Sequence, residues 1–325
     1  MAKKNLFLSV ALVCAASLVG CGGNNNSTDE VTPEKQPPVE VISTTLPIAD
    51  PYVLLYDGTY YAYGTSVGNG FEVYTSDDLE TWKRSSALAL SEKDSYGDHN
   101  FWAPEVYYVE KEKKFYIFYS AEEHICVATS DSPYGPFVQD EQKPIREEGS
   151  IDTSVFFDDD GKAYLYFVRF NDGNVIWVAE LNDDLKSIKE ETLTQCFAAE
   201  EPWELILPKV VEGPSVIKLD GTYYLMYSGN GYTSQDYAVG YATSDSPFGP
   251  WKKYENNPIL HKYKGLMGVG HGAPFVDKEG KMRYVFHAHK SNTEIHPRDA
   301  YFVDMSVDNG VITLDGNLIR PRVVK

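Results

Sequence analysis

The sequence predicts an all-β protein, a five-bladed β-propeller of four-stranded antiparallel blades. Three observations lead there: a composition rich in strand-forming aromatics, tight-turn signals between short runs, and a two-part pattern that returns five times. Of the 325 residues, 24 are Tyr, 15 Phe and 5 Trp, together 14%, and such side chains favour pleated strands. Asp-Gly, Asn-Gly and Gly-Pro pairs punctuate the chain as hairpin turns do, and no segment carries a long helical period.

Each copy of the pattern joins a polar or Pro-containing start, a few β-formers, a turn and a second, aromatic strand. The copies are Asp50-Pro51-Tyr52-Val53 with Tyr60-Tyr61-Ala62-Tyr63, Ala103-Pro104-Glu105-Val106 with Phe115 to Tyr119, and Asp152-Thr153-Ser154-Val155 with Tyr164-Leu165-Tyr166. Glu212-Gly213-Pro214-Ser215-Val216 with Tyr223 to Tyr227 and Gly272-Ala273-Pro274-Phe275-Val276 with Tyr284-Val285-Phe286 complete the set. A second element, Ala128 to Phe137, is nearly restated by Ala242 to Trp251, and loosely by Tyr74 to Trp82. Units of roughly 40–60 residues holding about four strands each are the signature of propeller blades. A β-sandwich is the alternative, but it does not explain why the same strand pairs recur.

In a propeller the first strand of every blade lines the central axis, so equivalent positions meet whatever their separation in sequence. Counting back from the aligned valines, Asp50 stands three residues before Val53, Asp152 three before Val155 and Glu212 four before Val216. The same level holds Trp102 and Ala103 in blade two, and His271 and Gly272 in blade five. One acid at a strand start is ordinarily a solvated residue or a turn cap. Three at equivalent inner positions point instead to carboxylates gathered in one pocket, where repulsion raises some pKa values and leaves others low. Cleavage of a glycosidic bond needs that split between a protonated acid and an ionised partner. Other carboxylates have plainer readings. Glu105 is expected to point away from the side of Trp102 by period-two alternation. Asp57-Gly58, Asp160-Gly161 and Asp220-Gly221 read as turn pairs, and Glu190-Glu191 and Glu200-Glu201 as surface.

A net charge of -19, from 48 acidic and 29 basic residues, argues against nucleic acid or an anionic membrane face as partner and fits a neutral substrate. Lys3 and Lys4 followed by the apolar run Leu6 to Ala16 have the form of a secretory signal. Leu18-Val19-Gly20-Cys21 resembles a bacterial lipobox, in which Cys21 is acylated and anchors the mature protein to the cell envelope. Residues 1–20 are therefore expected to be signal peptide, 21–45 the lipidated cysteine and a polar, Pro-containing tether, and 46–325 the propeller. Cys126 and Cys196 remain, either as a pair or as two buried thiols. No Cys and His spacing suggests zinc.

Ala49-Asp50-Pro51, Trp102-Ala103-Pro104-Glu105, Ile151-Asp152 ahead of Phe156 to Gly161, and Glu212-Gly213-Pro214, in that order, resemble glycoside hydrolase family 43. The resemblance runs from about Pro47 to the C-terminus. It implies a five-bladed propeller that hydrolyses arabinose- or xylose-containing plant polysaccharides with inversion, needing no cofactor and acting as a monomer. Asp50 then corresponds to the general base, Glu212 to the general acid, and Asp152 to the residue that tunes the acid. Acid and base of an inverting enzyme stand roughly 6.5–9.5 Å apart. His271 matches an axial histidine beneath the sugar that helps coordinate a structural Ca2+ ion through water. Trp102 offers a platform for a sugar ring, Arg298 resembles an arginine aimed at sugar hydroxyls, and Phe71 is a further wall. An α-L-arabinofuranosidase is the first expectation, followed by β-1,4-xylosidase, endo-1,4-β-xylanase or endo-arabinanase. The sequence stops at Lys325 without the C-terminal β-sandwich of several family β-xylosidases, which weighs against that activity. A non-catalytic carbohydrate-binding propeller is the contrasting class, and the acidic triad argues against it.

Overall fold

Five antiparallel sheets form a ring. Their inner strands are Ala49–Tyr56, Trp102–Val109, Ser150–Phe157, Val211–Leu219 and Gly270–Val276. Each inner strand contacts the next around the axis, and the fifth returns to the first. The computed structural model describes residues 40–325; the signal segment and Cys21 lie outside these residues.

The aromatic runs become the second strands, Thr59–Thr65, Lys114–Ala121, Ala163–Phe170, Thr222–Gly229 and Met282–Ala288. These strands are covered on both faces, which is why they read as near-continuous apolar sequence rather than as alternation. Five apolar clusters fill the five spaces between neighbouring blades. Between blades five and one, for example, Trp82 stacks on Phe302 at 5.7 Å. Each large side chain fully buried in this way contributes roughly 1.5–3 kcal/mol. The hairpin pairs Asp57-Gly58 and Asp220-Gly221 both adopt positive φ, as tight two-residue turns require.

Blade two departs from the expected four strands. Its sheet holds three, and the fourth is reduced to the bridge between Thr129 and Val138. Blade five is completed by Val311–Ile319. The chain then continues into Arg322–Val324, which adds in parallel to the outer strand of blade one, Thr81–Arg84. Val41–Ser43 pairs with that added strand. The last residues of the segment 21–45, expected to be tether, therefore belong to the blade-one sheet. Cys126 and Cys196 are both free thiols.

A β-bulge interrupts every inner strand at the same place: between Ala49 and Tyr52, Trp102 and Glu105, Ile151 and Ser154, Glu212 and Ser215, and Gly270 and Ala273. The bulged residues are Asp50, Ala103, Asp152, Gly213 and His271, all at positive φ between 39° and 58°. This register corrects the valine alignment in blade five. Val53, Val106, Val155 and Val216 are at most 8% exposed, but Val276 is 44% exposed, because the residue three beyond the bulge there is Pro274.

Candidate active site

At a bulge, the residue before it and the bulged residue both escape strict alternation, so one strand can present two adjacent side chains to the axis. Asp50 and Asp152 occupy the bulged position and Glu212 the position before one. That offset is the origin of the three-versus-four residue count from the valines. All three acids line a single cavity of about 670 Å³ together with Trp102, His271 and Arg298, a size ordinary for small-ligand clefts. Phe71 does not reach it. It is fully buried between blades one and two, edge-on to Phe101 at 5.8 Å and to Tyr119 at 5.6 Å, so it is core and not a pocket wall.

The strained backbone is held by a hydrogen bond that repeats around the ring. Four of the five bulged N–H groups donate to a polar side chain near the end of the preceding blade's second strand: Asp50 to His287 Nδ1 (3.0 Å), Ala103 to Thr65 Oγ1 (3.0 Å), Asp152 to Ser120 Oγ (3.0 Å) and His271 to Ser228 Oγ (2.7 Å). The acceptors pair with the residue before the bulge in their own blade, as Ser120 does with Trp102 and Ser228 with Glu212. In blade three that place, opposite Ile151, is held by Val168, which cannot accept. The Gly213 amide turns instead to Asp152 Oδ2 at 3.2 Å. Gly213 itself is required by close approach, since a Cβ there would lie 3.0 Å from the His271 ring.

Each acid has a different environment. Asp50 Oδ1 accepts from Arg298 at 2.9 Å and Oδ2 from Thr65 at 2.7 Å. Burial pushes its carboxyl up, but the Arg298 guanidinium, then His271 and His287, outweigh burial and hold it well below the ordinary carboxylate range. For Asp152, burial and then the charge of Asp50 push the carboxyl up to about 7 against the Gly213 amide and Arg298. For Glu212, burial and then Asp152 do the same, to about 7, against His271, Tyr237 and Asn174. Glu212 Oε1 accepts from Tyr237 at 2.8 Å and Oε2 from Asn174 at 2.8 Å. Asn174 lines the cavity and Tyr237 lies behind it. Near neutral pH the site thus carries one firmly ionised carboxylate beside two that share protons as a coupled pair.

Sequence reading missed Thr65, Asn174, Tyr237 and His287. Thr65, Ser120, Ser228 and His287 each close an aromatic strand with a polar residue, so the second-strand repeat carried a signal for them. Asn174 and Tyr237 follow loops that no repeat constrains. His287 is completely buried, stacks on Tyr237 at 5.7 Å, and is pushed down to about 3 by burial and then by Arg298, which keeps it neutral. Glu105 is also misjudged by alternation, because the bulge between Trp102 and Glu105 breaks the count.

His271 Nδ1 faces Asp50 Oδ1 at 3.4 Å and Asp152 Oδ2 at 3.8 Å. A calcium ion takes six to eight oxygen ligands. Around His271 the described residues offer the Asp50 and Asp152 carboxylates within 4 Å, so water would supply most of such a shell.

A model of glycosyl hydrolases family 43 matches residues 41–306. This chain belongs to glycosyl hydrolase family 43. As a member of that family it is an O-glycoside hydrolase. An endo-1,4-beta-xylanase structure from Bacteroides thetaiotaomicron VPI-5482 is 59% identical, with a TM-score of 0.85 over 88% of this chain and 100% of its own. A thermostable family-43 glycoside hydrolase is 36% identical, with a TM-score of 0.79 over 87% of this chain and 96% of its own. A xylosidase/arabinosidase from Bacteroides ovatus is 27% identical over 322 residues, 83% of this chain and 95% of that protein.

Two outcomes follow from this geometry. Val168→Thr offers the missing acceptor, draws the Gly213 amide from Asp152 and lowers kcat about tenfold without touching substrate; an unchanged kcat and pH profile would count against that account. The raised Glu212 pKa also costs stability. The folded form binds this proton more tightly than the unfolded chain, so the group's contribution is full below its unfolded value and is lost as pH rises toward 7. Glu212→Gln is therefore expected to exceed the wild type in stability at pH 7 by on the order of 2 kcal/mol, and the two to converge near pH 4 in denaturant titrations.

Proposed function

We propose that this family 43 enzyme hydrolyses xylan-type β-1,4 linkages with inversion, using Asp50 as general base, Glu212 as general acid and Asp152 to raise and orient the acid. The observation that carries the mechanism is the charge split within one cavity. Asp50, held ionised by Arg298, suits a group that must accept a proton at working pH, and Glu212, held partly protonated, suits one that must give it.

In the reaction the bond from the anomeric carbon to the bridging oxygen breaks, and that oxygen takes the Glu212 proton. A water oxygen bonds the same carbon from the opposite face and passes its proton to Asp50. Asn174 and Tyr237 hold the Glu212 carboxyl and stabilise the carboxylate left behind. Trp102 gives an aromatic face for the sugar ring. Arg298 spends its terminal nitrogens on Asp50, and its Nε, buried within the protein, has no partner among the described residues.

Xylan takes first place because of the 59% identical endo-1,4-beta-xylanase. The α-L-arabinofuranosides expected from sequence become the second reading, supported by the xylosidase/arabinosidase from Bacteroides ovatus. Initial rates on aryl β-D-xyloside, xylo-oligosaccharides and aryl α-L-arabinofuranoside decide the order, and proton NMR of the first-formed anomer tests inversion. Asp50→Asn and Glu212→Gln should each lower kcat by about 10²–10⁴-fold; wild-type turnover in either variant would remove that residue from its role. We also propose secretion and lipid anchoring at Cys21. Radiolabelled palmitate should be incorporated by the wild type and not by Cys21→Ser, and equal labelling of both would refute it.

A further inference from the structure

The residue two beyond each bulge faces the axis one tier below the catalytic acids. That tier is Tyr52, Glu105, Ser154, Ser215 and Ala273, the far side of the register shift in each of the five blades. Glu105 is its single carboxyl. Tyr107 donates its hydroxyl proton to Glu105 Oε2. The same hydroxyl accepts the Val155 amide of blade three at 2.9 Å. A chain of bonds thus runs from Glu105 across the blade interface into the inner strand that carries Asp152.

The groups bearing on Glu105 are Tyr107 on its own strand, Ser154 and Asp152 on the inner strand of blade three, Tyr52 on that of blade one, and Tyr284 on the second strand of blade five. None is a cation. Family hydrolysis as read above makes no use of this group, yet an unpaired negative charge beneath Asp152 would add to the repulsion already present among the acids.

We propose that Glu105 is a positioning residue for the reaction: a carboxyl beneath the catalytic tier that, through Tyr107, ties the inner strands of blades two and three together and sets how much negative charge gathers around Asp152. Enclosure by protein, opposed by the Tyr107 and Ser154 hydroxyls and reinforced by Asp152, pushes its carboxyl up to about 8, so it is mostly neutral near neutral pH. The proposal rests on the assignment of Asp152 and Glu212 above, so its test reads protonation directly as well as activity.

In the full chain labelled with 13C at Glu side-chain carboxyls, one resonance, assigned by its loss in Glu105→Gln, should titrate above pH 7. Its midpoint should fall in Asp152→Asn, because interacting sites shift one another reciprocally. A Glu105 signal that titrates between pH 4 and 5, or one that ignores Asp152→Asn, overturns the proposal whether or not the enzyme assignments hold. In kinetics, Glu105→Gln should keep kcat within twofold near pH 6 and move the alkaline limb to lower pH, since the negative charge that Glu105 gains on ionising no longer helps the neighbouring acids hold their protons. Glu105→Ala, which abandons Tyr107, should lower kcat about tenfold with KM little changed. Equal losses in the Gln and Ala variants with the pH profile unmoved would reduce Glu105 to packing and overturn the proposal. If instead Glu212→Gln keeps full activity while the Glu105 titration behaves as stated, the acid assignment fails and the coupling stands.

Discussion

Five bulges, one per inner strand, are the constraint on which the rest of this molecule depends. Four of them place a non-glycine residue at positive φ, a conformation that costs of order 1 kcal/mol and survives only where the surroundings enforce it. Here the enforcement is circumferential, with the amide of each bulged residue bonded across to the neighbouring blade. The ring therefore couples blade closure to site geometry. Anything that loosens the contact of one blade with the next also relaxes a bulge, and with it the direction of an acid. The terminal strand Arg322–Val324, laid against blade one and joined there by Val41–Ser43, closes the same circle at its outer edge.

Fivefold repetition alone would give five similar positions and no chemistry. Function comes from where the repeat is broken. In blade five the acceptor is a histidine, so the amide of Asp50 rests on an imidazole that also lies 3.3 Å from Arg298. In blade three it is Val168, and the orphaned Gly213 amide becomes a donor to Asp152. Arg298 sits against Asp50, and its pull on Asp152 is outweighed by burial and by the charge of Asp50. Three carboxyls in one cavity thus divide into one held well below the ordinary range and two pushed up to about 7, and the division traces to neighbours, not to the acids themselves.

The same bulges decide how much could be seen in the sequence. The repeat was legible because aromatic second strands and turn pairs follow from burial and tight-turn sterics, which act locally. The three acids were legible because equivalent positions share an axis. What failed was every inference that carried period-two alternation through the bulge, or strict equivalence through an irregular blade. Glu105 was assigned to the wrong side, and Val276 was aligned two residues out of register. Phe71 lies in the two-residue strand Gly70–Phe71, paired with Leu90–Ser91, where sequence alone does not separate a pocket wall from the space between two blades. Blade two's missing fourth strand left no mark in the repeat either, since the Ala128 to Phe137 element is intact there and only the pairing beyond it is lost.

His287 shows most clearly why local reading stops where it does. As a lone polar residue after Tyr284-Val285-Phe286 it has no motif, and burial at that depth would ordinarily be a penalty. The amide it accepts lies far away in the chain: Asp50 is 237 positions distant. Only the closed ring brings the fifth blade's second strand against the first blade's inner strand. Once there, burial and Arg298 keep the imidazole neutral, so Nδ1 can accept the bulged amide without placing a second cation on Asp50. The base then owes its low pKa chiefly to one guanidinium at its carboxylate, while its backbone is fixed by a neutral ring. Backbone position is set chiefly by the ring and charge chiefly by the guanidinium, and the two groups meet at 3.3 Å, so a change to either reaches the other.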